Sequence, residues 1–200
     1  MTKPVIPGIH HVTAISGPAQ ANVDFYTGTL RQRLVKKTVN FDAPDTYHLY
    51  YGDDVGSPGT ILTFFPFADA APGRAGPGMA SAYAYAVPKG GFQAWMDRLA
   101  LNAEDYDGPS ERFGQRVITL RDADGAPVEL VETDRAGDAP LDGFHSVTLW
   151  ERDLGPTARL LTEAFGYQEK GHEKDRGVER LRLVAPGAER GNIIDLIRTD

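Results

Sequence analysis

The sequence predicts an α+β protein in which one β-α-β-β-β unit is used three times, each unit folding into a curved half-barrel sheet. Three observations lead there. Runs of strand-like alternation, helical periodicity and renewed alternation begin near Ile9, Ala80 and Phe144. Equivalent positions keep step: His10 to Phe25, Ser81 to Met96 and His145 to Leu160 are each 15 residues apart. Gly59, Gly125 and Gly191, which open the last strand of each unit, are spaced by 66 and 66. Finally, Pro/Gly-rich linkers at 68–78 and 133–143 part the units and are too short to be disordered tethers. The units are placed at 1–70, 76–134 and 141–200, with no fourth in the chain.

In the first unit, Ile9–Ile15 reads as a strand and Pro18–Leu30 as a helix with Val23, Tyr26 and Leu30 on one face. Strands follow at Leu34–Phe41, Tyr47–Tyr51 and Thr60–Pro66, separated by Ala43-Pro44-Asp45 and Gly56-Ser57-Pro58-Gly59. The second unit reads as strand Ala80–Val87, helix Gly91–Leu101, and strands near Arg116–Leu120 and Pro127–Glu132. The third reads as strand Phe144–Trp150, helix Gly155–Phe165, and strands near Tyr167–Glu169, Glu179–Val184 and Asn192–Arg198. The concave face of such a sheet needs a facing unit to cover it, and three units leave one face without a partner. A fourth unit or a partner chain is therefore expected, and the fourth unit is the preferred answer.

Composition narrows the chemistry. The 200 residues include 21 Lys+Arg and 28 Asp+Glu, a net charge of −7, with no basic cluster. Nucleic acid and anionic membrane are therefore excluded as expected partners. At 41% hydrophobic residues the chain fills a core. The N-terminal stretch Met1–Gly8 has no apolar leader core, and no run is long enough to span a membrane, so a soluble, cytoplasmic protein is expected. There are no cysteines. Disulfides, thiolate metal sites and cysteine nucleophiles are thereby excluded, leaving five histidines, carboxylates, hydroxyls and a borrowed metal. No phosphate-cradling glycine loop and no nucleophile elbow is present.

Neighbours in a strand point to opposite faces, so His10 and His11 should diverge, with Thr13 sharing the face of His11. His11 reads as an imidazole metal ligand or as a core histidine bonded to a backbone carbonyl. Four residues after each repeat glycine stand Thr63, Glu129 and Asp195. Glu129 and Asp195 are flanked by apolar residues, and read as metal ligands or as edge carboxylates facing solvent. In register, His145 matches His10 rather than His11, which assigns it a structural role. His48 alternates with aromatics in a strand, on a pocket wall or facing solvent, and His172 falls in a charged, solvated loop.

The stretch Gly8-Ile9-His10-His11-Val12-Thr13-Ala14-Ile15 carries a further signal. So do Asn22–Gly28, Leu34–Asp42, Tyr47–Asp53 and Gly56–Pro66. Together they resemble the βαβββ modules of the vicinal oxygen chelate superfamily, which has a glyoxalase/dihydroxybiphenyl-dioxygenase-like fold. Within it, they resemble the branch of hydroquinone ring-cleaving dioxygenases. That resemblance implies a four-module, extradiol-type enzyme acting on a small aromatic substrate and O2 through non-haem Fe(II), with Mn, Zn or Ni as other possible metals. It implies His11 as the first metal ligand, with His10 and Thr13 as catalytic groups beside it; Glu129, read from its repeat position, is an alternative ligand where the first and second units face each other. The remaining His and Glu would lie in a fourth module, so this chain is expected to be an incomplete, inactive portion that forms a homo-oligomer. Two other readings stand beside it: a glyoxalase-like lyase or isomerase using Zn(II) or Ni(II), and a metal-free module that binds aromatics in a cleft lined by Phe64, Phe65, Tyr83 and Tyr85.

Overall fold

The computed structural model describes residues 6–199, so the first five residues of the N-terminal stretch read for a leader lie outside it. The first run comprises β1 (His11–Ser16), α1 (Ala19–Val23), β2 (Arg33–Val39), β3 (Tyr47–Gly52) and β4 (Ile61–Pro66). The second comprises β5 (Met79–Val87), α2 (Phe92–Leu101), β6 (Asp107–Arg112), β7 (Gln115–Arg121) and β8 (Pro127–Glu132). The third comprises β9 (Phe144–Trp150), α3 (Leu154–Arg159), β10 (Gln168–Asp175), β11 (Val178–Val184) and β12 (Ile193–Thr199). The mixed α+β class and its curled sheets are as the sequence predicts.

Two of the helices widen as they end. Beyond Val23 the first continues as a π-helical turn (Asp24–Thr29), with the Leu30 N–H reaching back to Phe25 O at 3.1 Å. The third widens likewise over Leu160–Ala164. Asp153 caps α3, its carboxylate accepting the Gly155 N–H at 3.0 Å. Each helix buries a stripe at helical spacing: Asn22, Tyr26 and Leu30 in the first, Phe92, Trp95 and Leu99 in the second, Leu154, Ala158 and Leu161 in the third.

The strands form two sheets. The first unit makes its own, in the order β1-β4-β3-β2, while the other two share one of order β10-β11-β12-β9-β5-β8-β7-β6. The join is the antiparallel pair β5–β9. The first-to-last strand pairing is parallel in all three units, and it matches Thr13 to Thr63, Ala84 to Glu129 and Thr148 to Asp195. The repeat read from the glycines is thus a structural equivalence. Those glycines have a physical reason to recur: Gly59, Gly125 and Gly191 adopt φ of 82°, 82° and 58°, which side chains rarely take. The first and third also knit two units together, since Phe144 N–H donates to Gly59 O at 2.7 Å and Ile9 N–H to Gly191 O at 2.8 Å.

The principal core lies between the sheets. Tyr26, Tyr51, Leu62 and Phe64 of the first unit pack with Tyr83, Tyr85, Trp95, Leu120, Val128 and Phe144. A polar knot sits inside it: the Tyr26 and Tyr83 hydroxyls are hydrogen-bonded to each other, and Tyr26 donates to Asp122 at 3.0 Å. Asp122 also accepts the N–H groups of Asp124 and Ala126, so the knot ties the first helix to the β7–β8 turn. Phe64, Tyr83 and Tyr85 are therefore core residues and do not line a cleft; of the four aromatics expected there, only Phe65 is not fully buried.

Two strand readings need correction. β6 was not foreseen, because Asp-Gly-Pro-Ser-Glu-Arg shows no apolar alternation; it is a largely exposed edge strand, where proline is tolerated. β10 extends to Asp175, which puts His172 in a strand rather than a loop. Its eight residues are mostly polar because they too form an exposed edge, and the tight turn at Arg176-Gly177 (φ 47° and 78°) returns the chain to β11.

Candidate functional site

The inner faces of the two sheets differ. In the first unit, β1 alternates His11, Thr13 and Ile15 outward against half-buried Val12 and Ala14. Register places Ile61, Thr63 and Phe65 of β4 on the same face, then Tyr50 and His48 of β3, then Lys36 and Thr38 of β2. This face is open: His11 and Thr13 are exposed, and Ile15 is 70% exposed. His10 lies just before β1, and its Nδ1 is 3.2 Å from His11 Nδ1. The two histidines thus touch edge to face instead of diverging, because His10 is outside the ladder where alternation applies. With Nδ1 engaged by His10, the His11 Nε2 is the nitrogen left for a ligand. Thr63, 2% exposed, donates its hydroxyl to Thr13 Oγ1 at 2.9 Å.

Further along, the rings of Phe65, His48 and Tyr50 form a ladder with centroids 4.0 Å apart at each step. His48 Nδ1 lies 2.8 Å from Tyr50 OH, and Lys36 sits over the Tyr50 ring. Burial, the charge of Lys36 and that of His11 lower the pKa of His48, so it is neutral at pH 7.

The corresponding face of the eight-stranded sheet is filled with ion pairs. Glu129, 5% exposed, meets Arg112 at 2.6 Å. Asp195, 1% exposed, takes Arg182 in a two-pronged grip at 2.8 and 2.9 Å and Arg180 at 3.1 Å. Burial works to raise the pKa of Asp195, but the hydrogen bonds and charges of the two arginines outweigh it and hold the carboxyl below the usual range. Neither carboxylate faces solvent, as an edge reading would have it, and Glu129 does not reach the face of His11. The β6–β7 hairpin closes over this interior. Phe113 lies against Arg182, and its N–H donates to Glu173 of β10 at 2.7 Å.

His145 joins the interior despite its phase. A bulge between Ala84 and Tyr85 leaves it as the extra residue on β9 and frees it from alternation. Gln115 Oε1 accepts from Arg182 at 3.0 Å and from His145 Nε2 at 3.1 Å, so His145 Nδ1 accepts from the Ser146 hydroxyl. Burial, then the charge of Arg182, push its pKa down to about 3. Both its ring nitrogens are spent on neighbours in the interior, Ser146 and Gln115, a place its register did not give it. His172 pairs with Glu179 at 3.0 Å on the exposed edge. Among the described residues no three His, Asp or Glu side chains are grouped so as to hold a metal ion, and no helix is long and apolar enough to cross a membrane.

Residues 8–130 match the family model described as the glyoxalase/bleomycin resistance protein/dioxygenase superfamily. The chain belongs to that superfamily. Among its members, a candidate ring-cleaving dioxygenase of Bacillus subtilis (strain 168), MhqO, is 41% identical over 203 residues, covering 94% of this chain and 62% of the relative. A chlorohydroquinone/hydroquinone 1,2-dioxygenase of Sphingobium indicum is 40% identical over 158 residues, covering 72% of this chain and 49% of that protein. The chain thus spans under two thirds of the length of these curated relatives. The crystal structure of a candidate dioxygenase from Bacillus subtilis superposes with a TM-score of 0.88 at 40% identity, over 98% of this chain and 64% of that one. Glyoxalase I from Zea mays, at 15% identity and a TM-score of 0.72 over 96% of this chain and 67% of that one, shares the fold.

Proposed function

We propose that the chain forms part of an Fe(II)-dependent ring-cleaving dioxygenase of hydroquinone-like aromatics. In this reading the open face of the first unit is the working face, and His11 contributes an imidazole to the metal. His10 and Thr13 are the catalytic groups beside it. The observation that carries the reading is the placement of His11 on an open, aromatic-edged sheet face, in a chain 40% identical over 158 residues to a hydroquinone 1,2-dioxygenase. The hydroxyls of hydroquinone are para, so 1,2 cleavage breaks the ring beside one hydroxyl-bearing carbon, and we assign the extradiol type on that ground.

The described residues do not by themselves fit a two-histidine, one-carboxylate site. The face of His11 holds His48 but no carboxylate, and Glu129 and Asp195 are committed to arginines on the other sheet. What the chain does supply is local: His10 fixes the orientation of His11, the Thr13–Thr63 pair sets a hydroxyl beside it, and the aromatic ladder gives a row of ring edges for a ring to lie on. The remaining donors must come from a unit that faces this sheet, either in the same polypeptide or in a second copy within a homo-oligomer.

Iron bound per chain after anaerobic reconstitution, together with O2 uptake on hydroquinone, tests the reading. Where a second copy of the chain supplies the facing unit, iron and uptake that are lost in His11→Ala are expected. Iron held equally by both proteins contradicts His11 as a ligand, and no iron in either contradicts a site built by copies of this chain alone.

A further inference from the structure

The aromatic ladder carries an unmet polar atom. His48 Nε2 is out of contact with water and has no hydrogen-bond partner, while its other nitrogen is engaged by Tyr50 OH. A buried donor or acceptor without a partner costs about 1–3 kcal/mol, so such an atom marks a place where a partner belongs. The surroundings say what kind. Phe65 and Tyr50 flank the imidazole at ring-stacking distance, Ile15 extends the same row on β1, and nothing in the row carries a carboxylate. The next row holds the Thr13–Thr63 hydroxyls. Because Phe65 and Tyr50 cover the two faces of the imidazole, the ladder turns ring edges to the open side. An apolar row of edges with one neutral nitrogen suits an uncharged aromatic ring bearing a hydroxyl, laid face onto those edges, and does not suit a cation, which Lys36 would repel.

We propose that His48, held by Tyr50, is a positioning residue for a phenolic substrate on the open face: the substrate ring lies face onto the edges of Phe65 and His48, and its hydroxyl displaces the neighbour that shuts Nε2 from solvent and completes its hydrogen bonding. The inference rests on the ring-cleaving reading for its substrate class, but it requires no metal. The imidazole remains neutral throughout. Tyr50 restricts its rotation, and no proton is transferred to it. Specificity then arises from one hydrogen bond. In the tautomer whose Nδ1–H donates to Tyr50 OH, Nε2 is an acceptor: a phenol O–H satisfies it, whereas the corresponding methyl ether, which has no donor, fills the same surface and leaves it unpaired, a distinction that polar sites enforce strongly.

Ligand-observed NMR titration of the metal-free chain tests this, with hydroquinone and 1,4-dimethoxybenzene as probes. Saturable binding of hydroquinone on the order of millimolar is expected for a ligand of this size on one face. His48→Phe keeps the stacking ring and removes both nitrogens. It should weaken hydroquinone about tenfold, one hydrogen bond's worth, and leave the dimethyl ether unchanged. Tyr50→Phe, which leaves Nε2 in place but unlocks the ring, should weaken it less, and Phe65→Ala should weaken both probes. Equal affinity for hydroquinone in wild type and His48→Phe overturns the proposal, as does the absence of saturable binding to the wild type. A circular dichroism melt of each variant separates these outcomes from misfolding. The dioxygenase reading fails separately: iron unaffected by His11→Ala would sink that reading while leaving the His48-dependent preference standing.

Discussion

The same strand positions in one repeated unit lead to opposite ends in this molecule. Thr13 and Thr63 in the first unit are equivalent to Ala84 and Glu129 in the second and to Thr148 and Asp195 in the third. In the first they lie on an open face beside His11; in the others they form the floor of an interior where Arg112, Arg180 and Arg182 neutralise the carboxylates. The difference follows from pairing. The second and third units share a sheet and close on one another through the β6–β7 hairpin, whereas no element among the described residues covers the inner face of the first. A closed face can be held by ion pairs that stabilise only when all are present. An open face is free to keep imidazole, hydroxyl and aromatic groups unpaired for a ligand.

This contrast predicts that substitutions in the closed interior act on stability and those on the open face do not. The largest effect is expected at Asp195. Asp195→Asn leaves Arg180 and Arg182 buried without a full countercharge, which costs about 3–5 kcal/mol and lowers Tm by roughly 6–20 °C in a scanning calorimeter. Because the Asp195 pKa is depressed in the folded state, its contribution is present above the ordinary carboxylate range and is lost as pH falls through that range and below. Acid melts of the wild type should show that loss, and those of the variant should not. Glu129→Gln keeps one hydrogen bond to Arg112 and should cost about 1–3 kcal/mol, read from the shift in urea midpoint.

Asp122 sharpens the comparison from the core. Burial raises its pKa, and the three hydrogen bonds it accepts only partly offset this. Its folded form therefore holds a proton more tightly than the unfolded chain does, so the contribution of Asp122, opposite in sign to that of Asp195, is fully present below the ordinary carboxylate pKa and is lost as pH rises through the raised value. Asp122→Asn should remove that loss above the ordinary carboxylate range in denaturant titrations; an unchanged slope would place the pH dependence elsewhere. The smallest effect is expected at His11. It is exposed, so His11→Ala should alter stability by less than about 0.5 kcal/mol while removing metal binding. A large loss of stability there would make it a structural residue like His145.

How much of this was legible in the sequence depends on what each residue answers to. The repeat was legible because the glycines at 59, 125 and 191 answer to a backbone rule that every unit obeys. The helices and central strands were legible because apolar periodicity records one buried face. β6 and most of β10 were not, since edge strands bury little and their polar residues look like loop. That His11 and Thr13 share a face was legible from alternation, but the contact between His10 and His11 was not, because His10 precedes the ladder. For Glu129 and Asp195, apolar neighbours signalled burial, but their arginine partners lie 17 residues or nearer in the chain with no pattern to mark them. The place of His145 was not legible from register, because a bulge invisible in the sequence brings it into the interior. The unpaired nitrogen of His48 depends on ring packing between strands, which alternation alone does not show.

The central claim is that the open face of the first unit is the ligand-binding face and the equivalent faces of the other two are structural. Mapping amide chemical shifts during a hydroquinone titration tests it most directly. The account predicts shifts confined to residues 11–15, 48–50 and 61–65, with 82–86, 129–131 and 193–197 unmoved. Shifts concentrated around Glu129 and Asp195, with β1 and β3 silent, would contradict it.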